Sequence, residues 1–413
     1  MSASADIAAA RPSRAPVSQP ELIALVAMLM ATVAFSIDAM LPALPAIARD
    51  VAGGDQARTA LVIAAFMLGM GAGTLFSGPL SDAFGRHRIA TWGAVLYIAA
   101  ALAGAMADSL ETLIAARLVQ GIGAAGPRIV ALAIIRDLYS GRQMARIVSF
   151  TMTVFALVPV LAPSLGAGLE WAFGWRGIFF AFAIFSALSI LWLRLRLPET
   201  LPAESRRPFR LAMLKAGLTE IVAHAQVRRA TATQALIYTV LFACLLSSQP
   251  VFDITFDRAA TFPLWFGLVA AVSAGGSFLN ARIVVRLGML RVIRGALSVM
   301  AVYAALYLAL LLTTGTAHAL GFPLYLLLLI AGFSLAGLCI GNLNALAMQP
   351  LGHIAGLAAS TISAVATSAG AVMAIPVTLL FDGTPRAAAI GILVATVAAL
   401  TLTRRLTEPA EPL

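Results

Sequence analysis

Charge is what this chain of 413 residues lacks. Lys, Arg, Asp and Glu together make up only 11% of it, against about 25% in soluble domains. So few charges cannot clothe a water-soluble surface, and a soluble globular fold is excluded. Cysteine is nearly absent as well: Cys244 and Cys339 both fall inside apolar runs, so a disulfide framework is not expected and both read as small core residues. No nucleophile–base cluster and no metal-ligand spacing appears, and no loop is long enough for a catalytic domain. The expectation is a protein that is not an enzyme, with no metal and no cofactor. Nor is there an appended signalling domain.

What is present is apolar, 61% of the residues. It comes in blocks of about twenty or more, the length that crosses a ~30 Å hydrocarbon layer as a helix. Strands of a membrane barrel run ~10 residues and alternate apolar with polar; these blocks are apolar throughout. The predicted fold is an all-α membrane protein with twelve spans, at 21–47, 57–80, 88–107, 110–135, 145–169, 173–194, 230–253, 263–284, 291–313, 321–348, 355–380 and 385–404. Residues 1–19, rich in Ala, Ser and Pro, are expected to be disordered and are not read as a cleavable signal peptide. The predicted units are a first six-helix bundle over 20–194, a linker over 195–229, a second bundle over 230–404 and a tail over 405–413.

The net charge of +10 reports topology, not a nucleic-acid surface. Arg11 and Arg14 precede the first span. Arg86 and Arg88 follow the second, and Arg136, Arg142 and Arg146 the fourth. Eight basic residues, from Arg194 to Arg229 inclusive, follow the sixth span. Arg282, Arg286, Arg291 and Arg294 flank the turn after the eighth span, and Arg404 and Arg405 follow the last. The alternate loops hold only Arg49, Arg58, Arg176, Arg258 and Arg386. By the positive-inside rule the first set is cytoplasmic, which puts both termini inside. In the linker, Leu211, Leu214, Leu218, Ile221 and Val222 recur at helical spacing among charged residues. This pattern suggests either an amphipathic surface helix or an ordinary linker with some helix.

Against this background one residue stands apart. Asp38 lies inside the first apolar run, where a carboxylate costs about 2.5–3.5 kcal/mol on insertion scales. Nothing near it in sequence neutralises it. Such a group usually serves protons, ions or cationic ligands; the alternative is a structural hydrogen bond to a neighbouring helix.

The turn after the second span reads Gly78-Pro79-Leu80-Ser81-Asp82-Ala83-Phe84-Gly85-Arg86-His87-Arg88, and a fainter copy follows the eighth span as Arg286-Leu287-Gly288-Met289-Leu290-Arg291, without the acid. The first copy resembles the loop signature of the major facilitator superfamily, departing at Ala83 and His87, where a basic residue is usual. Gly78 and Gly85 suit close packing and a tight turn. Asp82 suits either backbone N–H groups at a helix start or an arginine across the bundle, so that Gly78, Asp82, Gly85, Arg86 and Arg88 would lock the cytoplasmic side; a charged turn that only enforces topology is the alternative. Arg117-Leu-Val-Gln120-Gly121 resembles the signature of proton-coupled members. Arg117 either tunes a nearby carboxylate or bonds backbone carbonyls. Ala162-Pro163-Ser164-Leu165-Gly166, followed by Gly168, resembles the antiporter signature with its first glycine replaced; a plain packing seam explains the same residues. The stretches at Ser36–Pro45, Gly174–Phe179 and Asn344–Gly356 resemble bacterial drug exporters of the bicyclomycin and chloramphenicol resistance type.

The resemblance implies two bundles around a central cavity, in the bacterial inner membrane, exchanging protons for amphipathic drugs by alternating access. Asp38 would be the coupling carboxylate with Arg117 as its partner. Some related exporters carry a second acid about two turns earlier, where this chain has Met30, so coupling by a single carboxylate is expected. Phe35, Tyr238, Gln249, Asn342 and Asn344 are candidate cavity-lining residues. The energy source would be the proton gradient, and the partners the substrate, protons and membrane lipid around a monomer. An importer or facilitator of a sugar or other metabolite is the alternative within transport, and a ligand-binding sensor without flux the alternative outside it.

Overall fold

The structure, a computed structural model, describes residues 17–206, 208–209, 211–316 and 320–408. Its regular elements are helices: α1 Gln19–Asp38, α2 Leu44–Val51, α3 Gln56–Thr59, α4 Leu61–Phe84, α5 Arg86–Ala105, α6 Leu110–Leu138, α7 Gly141–Ala156, α8 Val158–Arg196, α9 Leu211–Ala223, α10 Ala225–Pro250, α11 Phe262–Leu287, α12 Met289–Thr314, α13 Gly321–Met348, α14 Ala355–Leu379 and α15 Arg386–Thr403. Among the described residues, eleven helical segments are long and apolar enough to cross a membrane. One of them, Gly141–Arg196, has 56 residues, or about 84 Å of helix, far more than one crossing needs. It is interrupted at Gly174, whose φ of 70° and ψ of 174° are not helical. The next residues tether this corner: the Trp175 indole donates to Asp50 at 2.7 Å, and the Arg176 guanidinium donates to the Ala107 carbonyl at 3.0 Å.

The remaining helices match the predicted spans within a few residues, with two corrections. The chain is ordered before residue 20, since Val17 is buried and the Ser18 side chain accepts from the Glu21 N–H; residues 1–16 and 409–413, predicted as disordered and tail, lie outside the described residues. The first span is also not one continuous helix. α1 stops at Asp38 and a single 3-10 turn, Leu41–Ala43, leads into α2. Pro42 and Pro45 explain the break, because each lacks an N–H for the helix ladder.

Packing follows sequence halves. α6 packs on α4 and α5, and α1 on α6, α7 and α8; in the second half α10 packs on α13, α14 and α15, and α12 on α13 and α15. Between the halves the main seams are α4 with α14 and α8 with α11. The faint repeat has a structural counterpart. Gly85 and Gly288 take φ of 96° and 81°, values that suit glycine, and each opens a helix. In the first copy Glu199 accepts from the Arg86 and His87 N–H groups at 2.9 and 3.0 Å. In the second, Glu408 accepts from those of Met289 and Leu290 at 2.7 and 3.2 Å. Each glutamate follows the last long helix of its half, so Glu408 is the counterpart of Glu199, and the second turn has no counterpart of Asp82. Burial opposes the charge of Glu199, but the N–H donors of Arg86, Leu201 and His87 hold its carboxyl below the usual 4.5. A depressed carboxyl stabilises fully above its unfolded value, and that contribution fades as pH falls through the lowered one.

The linker forms α9, which packs against α10 and α14. The side chains of Leu211 and Leu214 lie outside the described residues. Ile221 is buried and Val222 exposed. Cys244 and Cys339 are buried and unbridged.

Candidate functional site

The break after α1 places Asp38 at the end of a helix, where its side chain borders a chamber of about 330 Å³. The walls come from both halves: Met67 and Pro159 from the first, Phe242, Phe266 and Phe333 from the second. Asp38 is 7% exposed and has no hydrogen bond or ion pair among the described residues. Among the described residues it is the only ionisable group lining the chamber, and the other polar side chains there are Ser273 and Ser277. An ionised carboxylate without a partner in so apolar a site is costly, and a proton or a cationic group relieves that cost.

Arg117 does not reach it. Fully buried, its guanidinium donates to the Ser36 carbonyl at 2.8 Å, the Val62 carbonyl at 3.3 Å and Gln120 Oε1 at 2.8 Å. It also lies over the Phe66 ring at 4.4 Å. Of the two readings open in the sequence, the geometry is that of backbone carbonyls. Ser36 is held from its other side too, through its hydroxyl and Tyr97 OH at 2.5 Å. Arg117, Gln120 and Tyr97 thus knot α6 and α5 to the last turn of α1, two residues before Asp38. The arginine fixes the backbone that presents the carboxylate.

Gly166 on α8 closes the other side of that turn, and Pro163 lies buried one turn before it on the same helix. A Cβ on Gly166 would stand 2.0 Å from the Ala39 carbonyl oxygen, next to Asp38. Gly168 faces open space, so the close approach belongs to Gly166 alone. Gly166→Ala is therefore expected to cost about 1–3 kcal/mol by overpacking and to slow turnover, while Gly168→Ala changes neither. Thermal unfolding and reconstituted transport of the pair check this; equal tolerance of both would show that the seam is not tight.

At the end bearing the arginine-rich turns, Arg86 is the hub. Its guanidinium bonds Asp82 at 2.5 Å and Ser81 at 2.8 Å and grips Asp137 through two nitrogens at 2.8 and 3.2 Å. Asp82 thus pairs along its own turn and not across to the other half, and the helix-start role falls to Glu199. Gly78 has only ordinary contact with Ser360, and Arg88 is exposed. A larger cavity, about 800 Å³, lies here between α4, α6 and α7 on one side and α9, α13 and α14 on the other. At the opposite end Gln56 donates to Asp253 at 2.8 Å, tying α3 to the chain after α10.

The five residues predicted to line a cavity divide. Asn344 borders the larger cavity and accepts from Gln234 at 3.2 Å. Phe35 packs edge-on against Phe182, with centroids 5.2 Å apart, and Tyr238 stacks behind Phe242 at 5.5 Å. Asn342 donates to Asn280 at 2.8 Å, joining α13 to α11. Gln249 is buried with its Oε1 unpaired among the described residues. None of these four borders either cavity. Sequence reasoning passed over Asp137, Glu199, Glu408 and Arg128. Arg128 carried a readable signal, an arginine within an apolar run. The three acids sit in polar segments that only tertiary structure joins to their partners.

Comparison with known proteins agrees with this architecture. The family model of the Major Facilitator Superfamily matches residues 24–375. The chain is 29% identical over 342 residues to YdgK of Bacillus subtilis, named an uncharacterized MFS-type transporter, covering 82% of this chain and 83% of that protein. It is 29% identical over 270 residues to a bicyclomycin resistance protein homolog of Haemophilus influenzae, covering 64% and 67% respectively. Among solved structures, a D-xylose-proton symporter matches with a TM-score of 0.73 and 17% identity over 95% of this chain and 99% of that one, a likeness of fold alone. The chain is thus a multi-pass membrane protein and belongs to the major facilitator superfamily of transporters.

Proposed function

We propose that the protein is a proton-coupled antiporter that exports amphipathic small molecules across the bacterial inner membrane by alternating access. The observation that carries this reading is Asp38, a carboxylate unpaired among the described residues in an apolar chamber between the two halves. Facing inward, Asp38 gives up its proton and the substrate binds; facing outward, it takes a proton and the substrate leaves. The proton gradient is the energy source, with no cofactor, and a monomer in lipid suffices. Counting Gly141–Arg196 as two spans divided at Gly174 gives twelve, arranged as two six-helix bundles joined by 195–229. The positive-inside rule places the Arg86 end and both termini in the cytoplasm. With Gln56 and Asp253 bridging the opposite end and the larger cavity at the cytoplasmic one, the arrangement resembles an inward-facing state. The cluster of Asp82, Arg86 and Asp137 would act as the latch on that side.

The bicyclomycin resistance name of one relative favours drug export over sugar uptake. So does the chamber: beyond Asp38 it offers two serine hydroxyls, of which Ser273 is directed to the Ile330 carbonyl. A sugar there would leave its own hydroxyls unpaired. Expression in a drug-sensitive host should raise resistance to a subset of amphipathic antibiotics and dyes. No change across a broad panel, combined with uptake of labelled sugar into proteoliposomes, would overturn export.

A further inference from the structure

The larger cavity contains a cation that the coupling scheme does not use. Arg128 lies on α6 ten residues, about 15 Å, inside the end of that helix at Leu138. It is half-buried and borders the cavity, and no hydrogen bond or ion pair reaches it among the described residues. Arg136, two turns on and on the same face, borders the cavity nearer its mouth. Of the two carboxylates along the wall, Asp82 is held by Arg86, and Glu220 lies on α9 on the linker side. At depth, among the described residues, Arg128 is therefore the charge that a ligand meets. The surroundings are mostly apolar, with Leu132, Met152, Met348 and Leu357 among them, and the uncharged polar groups are Asn344, Ser81, Ser360 and Ser363. On α7, Met152 borders this cavity and Phe155 the Asp38 chamber, about one turn apart.

We propose that the protein transports amphipathic organic anions, whose carboxylate or sulfonate is held by Arg128 while the apolar body points toward the Asp38 chamber. A half-buried guanidinium without a protein acceptor is incompletely compensated, and a planar anionic group fits its fork. The assignment rests on the export reading for its direction, but not for the binding itself. Exchange of one anion outward for one proton inward moves charge of the same sense twice, so the membrane potential would drive it strongly.

Binding tests this without transport. The full chain in nanodiscs of zwitterionic lipid is titrated with tritiated naphthylacetate and with its uncharged analogue naphthylacetamide. The acid is expected to bind about tenfold more tightly, the value of a charge-assisted hydrogen bond. Arg128→Gln should abolish that preference while leaving amide affinity unchanged, which also shows that the variant is folded. Leu132→Glu, which places a carboxylate one turn from Arg128, should abolish it as well and serves if the first variant does not fold. Equal binding of acid and amide by the wild type, or a preference that survives both substitutions, overturns the proposal. So does loss of the preference when phosphatidylglycerol is added to the disc, because Arg128 would then be a lipid headgroup site. Failure of the resistance screen would sink export and leave this binding result standing.

Discussion

Asp38→Asn is expected to reduce gradient-driven efflux to background while the protein still inserts and folds. Asparagine keeps the shape of the protonated carboxyl but cannot cycle a proton. Because the carboxylate has no partner among the described residues, the substitution removes no internal bond. It does remove the cost of a charge at membrane depth, which insertion scales put at about 2.5–3.5 kcal/mol for aspartate at a helix centre. The variant should therefore unfold at the same temperature as the wild type or a higher one. A structural aspartate predicts the opposite, lower stability with transport impaired only in proportion. Efflux from proteoliposomes under an imposed pH gradient, measured beside thermal unfolding, separates the two. Wild-type coupled efflux in the variant removes Asp38 from the mechanism.

Arg117→Leu is expected to fail in the other direction, by loss of structure. The guanidinium satisfies the Ser36 and Val62 carbonyls and Gln120 Oε1 and covers the Phe66 ring. Its removal leaves buried acceptors unpaired, at about 1–3 kcal/mol each. The expected loss is about 3–5 kcal/mol, the range for breaking a buried polar network. Transport should fall because the last turn of α1 no longer presents Asp38 in place. Arg117→Lys restores the charge but not the three-way fork, so it should recover stability only in part. Had Arg117 acted chiefly through its charge on Asp38, lysine would restore function nearly fully. Thermal unfolding of the leucine and lysine variants, with transport of each, distinguishes these roles; a leucine variant as stable as the wild type contradicts the knot.

The two residues also show what a sequence can reveal here. A lone acid in an apolar run is conspicuous because burial makes it expensive, so Asp38 could be read directly, as could the spans and the positive φ required at Gly85. A buried arginine is equally content with carboxylates or carbonyls, and which it meets depends on the break that Pro42 and Pro45 impose after α1. That break brings the Ser36 carbonyl, not the Asp38 side chain, to Arg117. The tight packing of Gly166 was legible as a motif, but not its target, the Ala39 carbonyl. Glu199 sits in the polar linker and Glu408 in the tail, where composition carries no signal. Their role as helix caps arises only when the end of each half folds back on its own repeat. Aromatic and amide residues predicted to line the cavity mostly pack or pair between helices instead, since burial in a bundle interior looks the same in sequence as exposure to a central chamber.

The central claim is that substrate and proton compete at Asp38. The measurement that meets it most directly is proton release from the detergent-solubilised protein in weak buffer, on addition of a drug identified by the resistance screen, across a series of pH values. The expected result is release of about one proton per substrate bound at pH values where the free protein is protonated, and none from Asp38→Asn. Substrate binding that releases no proton at any pH, or the same release from the asparagine variant, would contradict it.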